Sequence, residues 1–168
     1  WMHDQYALQK RDQEKRTALQ KKAMHYFRRA LSHDRSGALR GIATVYHHQY
    51  KSGLALTYYK EAQKAKRNYQ MYYNSVGNVY QRIGLEEKDP SCLKKAENYY
   101  KKSLASARSN TEMITPLVNL AVLLNHMKRY SESRQYAKRA LSLTKQERKE
   151  NRDTFSRLEL HLQKLIKN

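Results

Sequence analysis

The side chains that could take part in catalysis are few, and their spacing does not suggest a catalytic or metal site. His47 and His48 are adjacent, so on a helix they diverge by about 100° and cannot act as the two ligands of an HExxH-type metal site. Cys92 lies beside Lys94 and Lys95 near an expected helix start, where positive charge can lower a thiol pKa. Because no base or orienting group accompanies it, we expect a small packed or exposed thiol and not a nucleophile. We therefore predict a chain that is not an enzyme, with no catalytic residues, no metal site and no cofactor.

The composition points to binding. The 168 residues carry a formal net charge of +19, which favours anionic partners, whether nucleic acid, a membrane surface or an acidic protein. Cys92 is the single cysteine, so no internal disulfide can form, and the cytoplasm or another reducing intracellular compartment is expected. No apolar run approaches the roughly 18 residues that a membrane span needs. The first residue is Trp1 and not an initiator methionine, so we expect a fragment of a longer chain.

Apolar residues recur at intervals of three and four along most of the chain, which indicates amphipathic α-helices. The pattern is clearest at 39–66, where two helices are separated by a break at 51–53. Related pairs of helices follow. Tyr46 and its counterpart Tyr80 are 34 residues apart, which is the length of a known helix-turn-helix repeat. We therefore predict an all-α solenoid of stacked helix pairs.

The repeat pattern predicts a single domain made of successive units. The expected units are a partial first repeat at 1–36, repeats at 37–68, 69–108 and 109–145, and a capping helix at 146–168. An enlarged turn at 84–90 accounts for the length of the longest repeat, with Asp89 as the N-cap and Pro90 at the first position of the next helix. Thr115 and Pro116 resemble the same kind of helix start.

Three pairs of segments carry a recognisable signature. They are G-I-A-T-V-Y with A-L-T-Y-Y-K-E-A, S-V-G-N-V-Y with A-E-N-Y-Y-K-K-S, and N-L-A-V-L-L with R-Y-S-E-S-R-Q-Y-A-K-R-A-L. These segments resemble tetratricopeptide repeats, in the longer-helix variety of kinesin light chains and bacterial peptide-sensing regulators. In that family a small residue of the first helix lets the second helix pack closely. Ala43, Gly77 and Ala121 match the small residue, and Tyr59 and Tyr100 match the bulky residue that packs on it.

The resemblance implies a right-handed superhelix whose concave groove binds an extended peptide or a helix of a partner protein, acidic partners included. The first helix of each pair would line this groove, and its candidate residues are those on the side away from the core. They are Arg40, Thr44, His47, His48, Asn74, Asn78, Gln81, Arg82, Val118, Val122, Asn125 and His126. Asn and Gln can both donate to and accept from a peptide backbone, and Arg suits carboxylates. The alternative is that these are ordinary solvated positions.

A subset of this family grips C-terminal carboxylates with one lysine and two asparagines. Asn78 and Asn119 stand in matching places, but Asn74 occupies the place of the lysine. The resemblance therefore implies general peptide binding more than a carboxylate clamp.

The second helices offer a rival surface. Matching positions on these helices carry basic residues, namely Arg28, Arg29, Lys60, Lys101, Lys102, Lys138 and Arg139. Stacked side by side, these residues would form a convex basic face that could follow a phosphate backbone. The alternative function is therefore nucleic-acid binding, of RNA in particular, although lysine is also common at the solvated positions of any helix.

Overall fold

A computed structural model describes the backbone of residues 2–66, 69–148 and 156–167 and the side chains of residues 11–66, 69–147 and 158–167. All regular structure in these ranges is α-helical. The helices are α1 (Met2–Ala30), α2 (Arg35–His48), α3 (Ser52–Ala65), α4 (Tyr69–Glu86), α5 (Pro90–Ala105), α6 (Asn110–His126), α7 (Tyr130–Arg148) and α8 (Ser156–Lys167). Within the described ranges, none of them is both long and apolar enough to cross a membrane.

The chain divides into two compact units, Trp1–Arg67 and Asn68–Asn168. In the first unit, α2 packs against both α1 and α3. Close packing of α2 on α1 depends on Gly41, because a Cβ there would lie 2.4 Å from the ring of Phe27. Most of the partial first repeat predicted at 1–36 is one continuous helix, α1, of 29 residues. The apolar core of this unit is Ala38, Leu39, Ile42, Ala43, Val45, Ala55, Tyr59 and Ala62.

In the second unit, α4 pairs with α5, α6 pairs with α7, and α8 packs on α6 and α7. The small residue Gly77 faces the fully buried ring of Tyr100, and a Cβ at Gly77 would lie 2.6 Å from that ring. The part of the predicted capping helix that lies in α8 has an apolar side facing the core. Leu162 and Leu165 are buried against α6 and α7. Phe155, an apolar residue of the predicted capping helix, lies outside the described residues.

The three helix pairs close with the same three-residue turn. Its central residue has a positive φ of 61° at Tyr50, 54° at Lys88 and 59° at Lys128. After each of these residues, the next backbone N–H donates to the carbonyl five positions earlier, a pattern typical of a Schellman helix end. The three bonds join Lys51 to Tyr46 (3.0 Å), Asp89 to Gly84 (3.0 Å) and Arg129 to Leu124 (2.9 Å). The three turns therefore have the same backbone geometry although their sequences differ.

The enlarged turn expected at 84–90 is not present. Instead, α4 continues to Glu86 and has 18 residues, against 14 in α2. Gly84 looks like a helix breaker in the sequence, but its role is close packing, because a Cβ there would lie 2.6 Å from Cδ2 of Leu93. The predicted start of α5 is confirmed: Asp89 is the N-cap and Pro90 is the first helical residue.

The helix start expected at Thr115 and Pro116 is wrong, because α6 already begins at Asn110. The Ser109 side chain caps the helix by accepting from the backbone N–H of Glu112 at 3.2 Å. The sequence S-N-T-E at 109–112 is the S-x-x-E pattern of a capping box.

Pro116 therefore lies inside α6, where it lacks the N–H that would bond the carbonyl of Glu112. The side chain of Gln70 on α4 supplies the missing donor, with its Nε2 at 3.0 Å from that carbonyl oxygen. Gln70 therefore links α4 to two other helices. Its side chain bonds α6, and its backbone carbonyl accepts from the hydroxyl of Ser103 on α5 at 2.8 Å. A proline inside a helix is tolerated here because a neighbouring helix satisfies the freed acceptor.

Candidate binding face

Three asparagines meet where α4 lies beside α6 in the second unit. Nδ2 of Asn119 on α6 donates to Oδ1 of Asn74 at 2.9 Å and to Oδ1 of Asn78 at 3.2 Å. Asn74 and Asn78 are four residues apart on α4 and therefore share one face of that helix. All three side chains are half-buried. The structure thus joins two predicted groove residues, Asn74 and Asn78, through a third residue that was noted only for its resemblance to a clamp.

Tyr100 of α5 supports this group from inside the unit. Its hydroxyl lies 2.8 Å from Oδ1 of Asn78 and 2.6 Å from Oε1 of Gln81. The hydroxyl has one proton, so it donates to one of these oxygens at a time. Burial raises the pKa of Tyr100, which keeps that proton in place. We call Asn74, Asn78, Gln81, Tyr100 and Asn119 the amide cluster.

The amide cluster retains hydrogen-bonding groups that its internal bonds do not use. Those bonds engage the carbonyl oxygens of Asn74 and Asn78 and the nitrogen of Asn119. The NH2 groups of Asn74 and Asn78 and the carbonyl oxygen of Asn119 take no part in them. An asparagine amide has two N–H donors and an acceptor oxygen. The cluster can therefore donate to and accept from a ligand.

The other predicted groove residues of the second unit lie on α4 and α6. Arg82 is half-buried, with its Nε 3.8 Å from Oε1 of Glu86. Val118 and Val122 are half-buried and pack partly against the core that includes Leu162. Part of the surface of these valines therefore stabilises the unit. Asn125 is half-buried and His126 is exposed.

The predicted groove residues of the first unit lie along α2. Arg40, Thr44 and His47 are half-buried, and His48 is exposed. The Thr44 hydroxyl donates to the carbonyl of Arg40 at 3.0 Å and lies 3.1 Å from the hydroxyl of Tyr59. Thr44 thus has internal contacts comparable to those of the amide cluster.

The predicted basic residues share one property, exposure to solvent, and they are Arg28, Arg29, Lys60, Lys101, Lys102, Lys138 and Arg139. Their contacts differ. Nζ of Lys101 lies 2.6 Å from a carboxylate oxygen of Glu97. Nζ of Lys102 lies over the rings of Tyr73 and Tyr99. Lys101 is therefore neutralised locally, whereas Lys102 rests on aromatic rings.

One ionic group was missed by the sequence analysis. Glu97 of α5 is buried, and Arg129 in the turn before α7 donates to it from Nη1 at 2.6 Å. Arg129 also bonds Glu132 at 2.6 Å. Burial favours a raised pKa for Glu97, but bonds from Arg129 and Lys101 outweigh it and lower the pKa. A signal was present, because Glu97 lies between the core residues Ala96 and Tyr100.

The lysines near Cys92 do not lower the pKa of its thiol. Cys92 is buried, and its hydrogen bond to Asp89 is the main cause of a raised thiol pKa. The same bond, with those from Ser91, lowers the pKa of Asp89 to about 2. Asp89 therefore affects the pKa of the Cys92 thiol more strongly than the nearby lysines do. Among the described residues, no three His, Cys, Asp or Glu side chains are grouped so as to hold a metal ion.

No protein-family model matches the chain, and a search of curated proteins finds no match.

Proposed function

We propose that this chain is a tetratricopeptide-type binding module without catalytic activity, which holds an extended segment of a partner protein against the amide cluster. The observation that carries the proposal is the pair of bonds from Asn119 to Asn74 and Asn78. These bonds fix the orientation of both α4 amides and leave their NH2 groups for a ligand. Fixed donors are favourable for binding because less side-chain entropy is lost on association.

The spacing of these donors suits an extended backbone. Asn74 and Asn78 are four residues apart, which is about 6 Å along a helix. Carbonyls on the same side of an extended chain recur every two residues, or about 6.7 Å. Two successive carbonyls can therefore accept from the two amides while the carbonyl of Asn119 accepts from a backbone N–H. Such contacts fix direction and register without selecting a side chain.

Side chains around the amide cluster favour particular residue types in the partner segment. Val118 and Val122 contribute half-buried apolar surface on α6, and Arg82 contributes positive charge on α4. We expect a partner segment with an apolar residue and a nearby carboxylate. The contact of Gly77 with Tyr100 supports this proposal indirectly, because it is the small-to-bulky contact that the resemblance implies.

The test is selection of binding peptides from a random library on the immobilised chain, followed by fluorescence polarisation. One lost hydrogen bond is worth about 0.5–1.5 kcal/mol, so Asn78→Ala and Asn119→Ala should each weaken binding by roughly two- to twelvefold. Asn98→Ala is the matched control, because Asn98 is exposed on α5. Circular dichroism establishes that each variant is folded. Unchanged affinity in the Asn78→Ala, Asn119→Ala double variant would disprove the proposed face.

A further inference from the structure

A second surface of the same unit carries an independent set of contacts. Four tyrosine rings of α4 and α5 form a continuous row, called here the tyrosine row. Their successive ring centroids are 6.0 Å apart from Tyr69 to Tyr73, 6.2 Å from Tyr73 to Tyr99 and 5.5 Å from Tyr99 to Tyr80. The last two rings are nearly parallel, at 12°. Tyr69 is the open end of the row, with 42% of its surface exposed.

Two exposed lysines of α5 lie over this row. Nζ of Lys102 is 5.9 Å from the centroid of Tyr73 and 5.5 Å from that of Tyr99. Nζ of Lys95 is 5.6 Å from the centroid of Tyr80. Attraction between each ammonium and the ring beneath it holds the charge in place. Because the lysines are seven residues apart, their charges are spaced about 10 Å along the helix.

Among the described side chains, no carboxylate forms an ion pair with the lysines of this surface. The one carboxylate of α5 is Glu97, which is buried and engaged by Arg129 and Lys101. The chain as a whole has a formal charge of +19. An anionic partner therefore gains attraction here without displacing an internal carboxylate.

We propose that the tyrosine row and its two lysines bind single-stranded nucleic acid, with backbone phosphates at Lys95 and Lys102 and a base stacked on Tyr69. Basic residues interleaved with aromatic rings are typical of surfaces that bind single strands. A duplex keeps its bases inside the stack, so it cannot use the ring of Tyr69. An acidic peptide has charge but no base to stack. This function is separate from peptide binding at the amide cluster.

The test is fluorescence anisotropy with a labelled oligo-uridylate over a range of salt concentrations. Each lost phosphate contact to a single strand should reduce the slope of log affinity against log salt by about 0.7. The Lys95→Ala, Lys102→Ala variant should therefore lose about 1.4 of the slope. The Lys164→Ala, Lys167→Ala variant removes the same charge from the exposed side of α8 and should leave the slope unchanged.

Stacking is tested separately. Tyr69→Leu keeps an apolar side chain but removes the ring, and it should weaken binding about tenfold with the salt slope unchanged. Equal slope losses in both lysine pairs would show that only overall charge matters and would overturn the proposal. The proposal would also be overturned if a duplex of the same length, polyglutamate or vesicles of anionic lipid bound with the same affinity as the oligo-uridylate. Circular dichroism and retained peptide binding at the amide cluster exclude unfolding of a variant.

Discussion

Substitution of Gly77 by alanine should destabilise the second unit and weaken the amide cluster at the same time. The new Cβ would lie 2.6 Å from Cε1 and 2.7 Å from Cδ1 of Tyr100. Ordinary carbon contacts are about 3.5–4.0 Å, so the ring must move by about 1 Å. Tyr100 is fully buried and its hydroxyl bonds lie at 2.8 and 2.6 Å. A shift of that size would lengthen these bonds beyond the usual hydrogen-bond range.

The magnitude follows from three terms. Overpacking in a filled core costs about 1–3 kcal/mol, and loss of one hydrogen bond adds about 0.5–1.5 kcal/mol. Alanine gains about 1 kcal/mol over glycine inside a helix. The net expectation is destabilisation by about 0.5–3.5 kcal/mol. Taking about 2 kcal/mol, the melting temperature should fall by roughly 4–8 °C in a chain of this size.

The assay is thermal and urea denaturation followed by circular dichroism. Gly53→Ala provides a matched control, because Gly53 lies in α3 and a Cβ there meets nothing within 4 Å. That variant should be as stable as the parent or more stable. Tyr100→Leu should be less harmful in the Gly77→Ala background than in the parent, because it relieves the clash. A Gly77→Ala protein as stable as the parent would refute the contact between α4 and α5 on which the amide cluster depends.

Three further predictions concern local features. Lys88→Gly should raise stability by about 1 kcal/mol in thermal denaturation, because glycine adopts positive φ without strain; a loss would contradict the turn geometry. The lowered pKa of Glu97 means that its stabilisation is complete above its ordinary value of 4.5 and is lost as the pH falls through the folded-state pKa. Urea titrations from neutral to acidic pH should therefore show a smaller stability loss in Glu97→Gln than in the parent, and parallel curves would count against this. Gln70→Leu should cost about 0.5–1.5 kcal/mol in urea denaturation by removing the donor to the carbonyl of Glu112, and Pro116→Ala should recover part of that loss by restoring an N–H. An equal effect of Gln70→Leu in the parent and in the Pro116→Ala variant would contradict this link.

Periodicity was sufficient to predict the helix pairs, because each helix buries one apolar stripe. The start of α5 at Asp89 and Pro90 was also predictable, since capping depends on neighbouring residues. The C-terminal end of α4 was not predictable, because Gly84 packs against Leu93 of another helix and does not end α4. The helix start predicted at Pro116 was wrong for a similar reason. The donor that makes a proline tolerable inside α6 belongs to Gln70, 46 positions earlier in the chain.

The candidate binding face was also predictable only in part. Asn74 and Asn78 could be placed on one side of a helix from their spacing. Their bonds to Asn119 depend on how α6 lies against α4, which periodicity does not specify. The tyrosine row likewise requires the register between α4 and α5, although the tyrosine content of the sequence is conspicuous. Glu97 was overlooked because its partner Arg129 lies in a turn.

The most direct test of the central proposal is NMR of side-chain amides during titration with a selected peptide. The NH2 signals of Asn74 and Asn78, assigned by comparison with their alanine variants, should shift in proportion to the bound fraction. In the Asn119→Ala variant, the same shifts should require more peptide. Shifts confined to other amides, such as that of Asn98, with Asn74 and Asn78 unchanged at saturation, would contradict binding at the amide cluster.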